Sequence, residues 1–338
     1  MAASMTKPVY TANIIKANGT KYRLKGVTTD LTVSHPENEL AEKVTLSLVD
    51  VKVGTKRLHS LIALKDKIYV YANTGSGAKE VFRGLVWERG SGNDADNKEI
   101  QLVCYDRLIY LLKSHDNLFV KKGKKTKDVL TSLAKSWGFK IIYRYESISH
   151  SKLAYHDESV ADIFTSILNK VKSKTGKKYA IRLEKNVIVI ETVGNNSTVY
   201  KIENKDNAIS TEYRQTMEDM VTKVKIVKAE TTSKDKETGK YLTVTSVSKN
   251  TKEYGTLQEI LVKEKDDKLS DVKKEAQKTL NSKAKPTTER TVKAIDNPWV
   301  KKGHKVYISA GNFKNYYIVK GIEHDATDHV MYLEVGSV

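Results

Sequence analysis

Val44-Thr45-Leu46-Ser47-Leu48-Val49 alternates apolar and polar side chains with period two, the pattern of a strand with one face in a core. Runs at 67–71, 81–87 and 99–105 predict further strands, and the Gly- and Asn-rich stretches at 73–77 and 90–94 predict turns between them. Short strands at close spacing predict a small antiparallel barrel or sandwich. After Leu112 the period changes. Val129, Leu130, Leu133, Ala134 and Trp137 follow Thr126, and Gly138 sits where a helix-ending glycine belongs, so a helix over 126–137 capped by Thr126 is expected. Val160, Ile163, Phe164, Ile167, Leu168 and Val171 form a second stripe, with Asp157 or Ser159 as its cap, and a hairpin at 179–183 and 186–193 follows. Strands return at 223–227 and 241–247, with a polar loop at 233–240 between them. A helix near 271–281 carries Val272, Ala276 and Leu280, and strands at 306–308, 316–320 and 330–335 close the chain. The fold class is therefore mainly β: two small antiparallel β-barrel domains, 1–112 and 206–338, flank an α+β domain at 113–205, and the second barrel holds the inserted helix.

Charge adds a second layer. The 338 residues carry 59 Lys+Arg against 41 Asp+Glu, a net +18. Between 113 and 205 the surplus is +10, so more than half of it lies in the α+β segment. Such a surplus calls for a polyanionic partner, and nucleic acid is the simplest. Lys121, Lys122, Lys124, Lys125 and Lys127 are the best candidates for a partner contact, and Lys170, Lys172, Lys174, Lys177 and Lys178 form a second cluster. A nucleic-acid groove needs interleaved aromatics, for which Phe119, Trp137, Tyr143 and Tyr145 are nearest in sequence. A solvated lysine face is the competing reading.

Catalytic chemistry is poorly represented. Gly123-Lys124-Lys125-Thr126 is not a phosphate-binding P-loop, because Leu118 stands where its first glycine belongs and Lys125 replaces the hydroxyl residue. Gly75-Ser76-Gly77 reads as a hairpin turn. His324, Asp325, Asp328 and His329 are weak candidates for a metal site, and a hairpin tip flanked by two histidines explains them as well. The single cysteine, Cys104, excludes an intrachain disulfide and a Cys-based zinc site, and its strand position predicts a small buried hydrophobe. No catalytic or cofactor-binding residue is nominated, and an enzyme is not expected. No apolar run reaches the roughly 20 residues of a membrane-spanning helix, and no signal peptide is expected from the first ten residues.

Two stretches carry a family resemblance. Phe82-Arg83-Gly84-Leu85-Val86 and Leu102-Val103-Cys104-Tyr105-Asp106-Arg107-Leu108-Ile109-Tyr110-Leu111 lead into the lysine-rich loop at 122–126, a helix, and Gly138-Phe139. Near the C-terminus stand Gly255-Thr256-Leu257-Gln258, then 300–308, 317–324 and His329-Val330-Met331-Tyr332-Leu333. Together they resemble phage tail hub proteins of the XkdQ/YqbQ type, similar in fold to the baseplate hub and late control D proteins of contractile tails. The resemblance implies a structural homotrimer whose six barrels form a ring joining the tail tube to the central spike, with baseplate wedge or tape-measure proteins as further partners. It implies no cofactor, synthesis in the bacterial cytoplasm, and a place in the tail of a phage or in the baseplate of a phage-tail-like particle. The stretch from Glu230 to Lys240 departs from the family's shorter, Gly-rich turn. A nucleic-acid-binding protein using 113–205 is the alternative. A cell-wall-degrading enzyme ranks third, because the hub-like plan uses the whole chain.

Overall fold

The computed structural model describes residues 7–93, 98–231, 237–263 and 267–338. Among the described residues 51% are in strands and 18% in helices, so the protein is mainly β. It forms two compact units, one running to Thr211 and resuming at Thr291–Val338, the other comprising Glu212–Arg290.

In the first unit, period two does what the pattern requires. The strand Lys43–Val49 buries Val44, Leu46 and Leu48. It pairs antiparallel with Thr28–His35 and Lys98–Tyr105, setting Leu46 opposite both Leu31 and Leu102. The strand Ala78–Asn93 runs further than the turn expected at 90–94, because Gly90, Gly92 and Asn93 are held in the ladder by Gln101, Glu99 and Lys98. Pairing with a long partner overrides the weak strand propensity of glycine; Asp94 lies outside the described residues. Gly84 in this strand has no room for a side chain: a Cβ would lie 2.3 Å from the Tyr105 carbonyl and 2.5 Å from the Phe82 ring.

The middle segment builds its core from two helices. Val160–Thr175 starts at Ser159, whose Oγ accepts the Asp162 amide at 3.0 Å, and ends at Gly176, at φ +76°. It buries the whole stripe from Val160 to Val171. Thr126–Ser136 differs from expectation. Lys125 is its N-cap, and Thr126 is the first helical residue, fully buried, with Oγ1 donating to the Ile148 carbonyl at 3.2 Å and 2.9 Å from His150 Nε2. Thr126 is recruited by tertiary contacts, so the cap has no side-chain acceptor. Both helices share a hydrophobic core with Ile181, Ile188 and Ile190 of the Tyr179–Glu184 and Val187–Thr192 hairpin.

The C-terminal strands Lys305–Ala310, Phe313–Asp325 and Val330–Ser337 form a hairpin array around Val306, Ile308, Val319, Leu333 and Val335. These strands do not stand apart from the N-terminal ones. Ile322, Glu323, His324 and Asp325 pair antiparallel with His35, Ser34, Val33 and Thr32, and this ladder joins both sets in one thirteen-stranded sheet.

The second unit is a three-stranded sheet of Lys223–Thr231, Glu237–Ser248 and Gln258–Val262, with helix Leu269–Lys283 on one face. Val272, Ala276 and Leu280 of that helix pack on Val224 and Ile226. The polar loop expected at 233–240 is shorter than read: 237–240 belongs to a strand, and 232–236 lie outside the described residues.

Two variants test the middle core. Phe164→Ala, at a fully buried side chain, is expected to cost about 3–5 kcal/mol, and Ser159→Ala about 1 kcal/mol, read as urea midpoints from circular dichroism.

Candidate interaction sites

The lysine loop is positioned by the antiparallel pair His115–Val120 and Leu153–Ser159, which places Phe119 opposite Ala154 and Val120 opposite Leu153. The chain then turns through Gly123 at φ +92°, a conformation that favours glycine. Backbone bonds fix the turn: the Gly123 amide donates to the His150 carbonyl at 2.9 Å, the His150 amide to the Lys124 carbonyl at 3.0 Å, and the Thr126 amide to the Ile148 carbonyl at 3.0 Å. Lys121, Lys122, Lys124, Lys125 and Lys127 are all exposed. His150 is held below its usual pKa by burial first and then by the charges of Lys170 and Lys174, so part of the second lysine cluster acts on the residue that holds the loop. The rest is directed elsewhere: Lys177 pairs with Glu146, and Lys178 Nζ donates to the Ser337 carbonyl at 3.2 Å.

Of the four aromatics nominated beside the lysines, the structure exposes one. Phe119 is 56% exposed, and Lys152 Nζ stands 5.2 Å from its ring centroid. Trp137 is half-buried and donates to Asp116, Tyr143 Oη donates to the Glu146 carbonyl at 2.7 Å, and Tyr145 Oη donates to the Lys177 carbonyl at 2.6 Å.

A second polar cluster lies where the N-terminal and C-terminal strands meet. Tyr10 Oη donates to Asp296 Oδ2 at 2.6 Å, and His324 Nδ1 lies 2.6 Å from Asp296 Oδ1 while its Nε2 faces the Val300 carbonyl at 3.2 Å. Lys302 Nζ donates to three carbonyls, of Pro36, Glu37 and Glu39, at 2.7, 2.7 and 2.8 Å. Burial pushes its pKa down to about 8. Tyr10, His35, Glu42, Arg182, Lys301 and His324 are among the residues lining a cavity of about 20 Å³, room for a single water. Burial raises the Glu42 carboxyl to about 7, against the pull of Lys301, His324 and Arg182. Burial also drives His35 down to about 3, with Lys302 adding to the effect.

The structure does not gather the four weak metal candidates into one site, and the buried Nδ1 of His329 has no hydrogen-bond partner among the described residues. Both nitrogens of His324 face acceptors. Asp325 Oδ1 accepts the amides of Thr327 and Asp328, making the hairpin tip, and the His329 carbonyl accepts the Asp296 amide at 3.0 Å. Among the described residues no group of three or more His, Cys, Asp and Glu is placed to hold a metal ion. Cys104 is fully buried, and burial raises its thiol pKa.

A wider cleft of about 610 Å³ is lined by residues that include Glu37, Lys172, Lys178, Tyr179, Lys302 and Lys320. Lys320 pairs with Glu37 at 2.5 Å. Its lining holds neither histidine nor cysteine, so it offers no nucleophile–base pair of those types. The Tyr105-Asp106-Arg107 stretch is structural too. Tyr105 meets Trp87 edge-on at 6.4 Å, buried Asp106 accepts the amides of Leu108 and Glu42, and the Arg107 guanidinium lies 4.8 Å from the Phe139 ring.

Residues 31–336 match the model of the family described as YQBQ-like. The uncharacterized protein YqbQ of Bacillus subtilis (strain 168) is 25% identical over 331 residues, covering 92% of this chain and 93% of that protein. The phage-like element PBSX protein XkdQ of the same organism is 26% identical over 264 residues, covering 76% and 78%. Among solved structures, the 43 kDa tail protein of prophage MuSo2 from Shewanella oneidensis aligns over 98% of both chains with a TM-score of 0.68 at 11% identity. The fold is that of phage tail proteins.

The ionisable groups of the cluster give opposite pH signatures. His35 folds neutral, so its contribution is present above about pH 6.5 and is lost as pH falls toward 3, at up to about 1.4 kcal/mol per pH unit. Melting temperatures at pH 7.5 and 5 are therefore expected to diverge less in His35→Gln than in the native chain. Glu42 has a raised pKa, so its ionised form costs stability as pH rises through about 4.5 to 7. Glu42→Gln is expected to raise the melting temperature at pH 8 and to leave it unchanged near pH 4. Lys302→Met, which removes the donor shared by the Pro36, Glu37 and Glu39 carbonyls, is expected to cost about 1–3 kcal/mol by urea denaturation.

Proposed function

The chain belongs to the YQBQ-like family, and on that premise we propose that it is a structural hub of a phage tail or phage-tail-like baseplate. The observation that carries this reading is the extent of the match: the family covers 31–336, and a prophage tail protein shares the fold over 98% of both chains. The coarse role is that of a phage tail and baseplate protein. The finer role is a homotrimeric ring that joins the tail tube above to the central spike below, within the tail or baseplate of the particle. Two further features support it. The polar cluster around Asp296 and Lys302 is engaged in holding strands together, as a load-transmitting scaffold needs. The edge strand Gln258–Val262 leaves Ile260 57% and Val262 39% exposed, a feature that proteins ordinarily cover with a neighbour. Catalysis is not part of the proposal, and a nucleic-acid role has less support, because Phe119 alone of the four aromatics beside the lysines is freely exposed.

The test is co-expression with the tube and spike proteins of the same genetic element, followed by light scattering on the purified species. A complex containing three copies of this chain is expected. A monomer at high concentration that retains neither partner would overturn the proposal.

A further inference from the structure

The loop at 121–127 concentrates like charge beyond what solubility asks. Its five exposed lysines share the field at His150 with exposed Lys170 and Lys174, exposed Lys152 stands over Phe119 at the loop's entry, and the 121–128 stretch itself offers one carboxylate, Asp128. None of these eight ammonium groups makes an ion pair among the described residues. Each pair of neighbouring ammonium groups repels the other, and an anionic partner relieves that repulsion.

An apolar ring sits within this field. Phe119 leads into Lys121 and lies under Lys152, with more than half of its surface in water. A large exposed aromatic ringed by charge is the arrangement of an interface anchor, where a buried contact supplies energy and the surrounding charges supply orientation. The face is also preformed. The three backbone bonds to Ile148 and His150 hold the loop, so docking orders little chain. A strand of nucleic acid would need successive stacking platforms, and the rings of Trp137, Tyr143 and Tyr145 are tied by their own hydrogen bonds.

We propose that Phe119, Lys152 and the 121–127 lysines form a docking surface for an acidic protein segment that buries one apolar side chain against Phe119. The surface does not depend on the ring: it belongs to each copy of the chain and is read by a different measurement from the trimer's mass.

The probe is a fluorescein-labelled 16-residue peptide, Glu-rich with one central Leu, beside the same peptide with Ser in place of Leu and a 20-nucleotide oligo-dT. Anisotropy at about 50 mM salt keeps surface electrostatics strong. The Leu peptide is expected to bind at micromolar concentration. Phe119→Ala is expected to weaken it about tenfold, and to leave the Ser peptide unaffected. The combined variant Lys121→Glu, Lys122→Glu, Lys124→Glu and Lys125→Glu is expected to abolish binding with an unchanged circular dichroism spectrum. Equal affinity of the native chain and Phe119→Ala for the Leu peptide would overturn the proposal, as would no peptide binding at all. Tighter binding of oligo-dT than of the Leu peptide would overturn it in favour of nucleic acid.

Discussion

In the larger unit the N-terminal and C-terminal strands are joined by a ladder of four residue pairs, 322–325 against 32–35, by which the last strands of the chain continue the sheet begun by the first. So short a ladder carries limited energy of its own. The side chains around it complete the joint. Asp296 receives Tyr10 from the first strand and His324 from the ladder itself, and Lys302 closes over three carbonyls of the 36–39 turn. In a low-dielectric interior such groups stabilise only as a satisfied set, since one missing partner leaves the others buried and unpaired. The joint is therefore cooperative. It also titrates, because burial has displaced His35, Glu42 and Lys302 toward their neutral forms.

That economy explains the uneven distribution of charge. Near the joint, ionisable groups are spent on one another, as in Arg182 with Glu184 and Glu191 at 2.6 Å each. In the same middle segment the lysines at 121–127 are exposed and make no ion pair among the described residues, so charge that serves the fold and charge that faces outward occupy different places within one segment.

The elements with short-range causes were legible in the sequence. The Val160–Thr175 helix has its stripe, its Ser159 cap and its terminal glycine within eighteen consecutive residues. The strand Lys43–Val49 announces itself by alternation alone. Local pattern and structure part where distant partners decide. Thr126 looks like a cap and is instead claimed by Ile148 and His150, and Gly90 to Asn93 look like a turn and are held as strand by 98–101. The joint was invisible for the same reason: Tyr10 and Asp296 are 286 positions apart, and no local pattern marks either. The lysine loop was conspicuous, yet its apolar companion Phe119 could be singled out only once Trp137, Tyr143 and Tyr145 were seen to be engaged. The family motifs were legible as a resemblance before their physics was: Gly84 is required by the contact with Tyr105 and Phe82, and Asp106 by the amides it receives.

A baseplate scaffold is defined by its place and copy number in the finished particle. Electron cryomicroscopy of particles from the host element measures both. Three copies in a ring at the junction of tail tube and spike are expected, each with the 322–325 ladder intact. Density for this chain at another position, or in a number incompatible with a three-fold ring, would contradict the central claim.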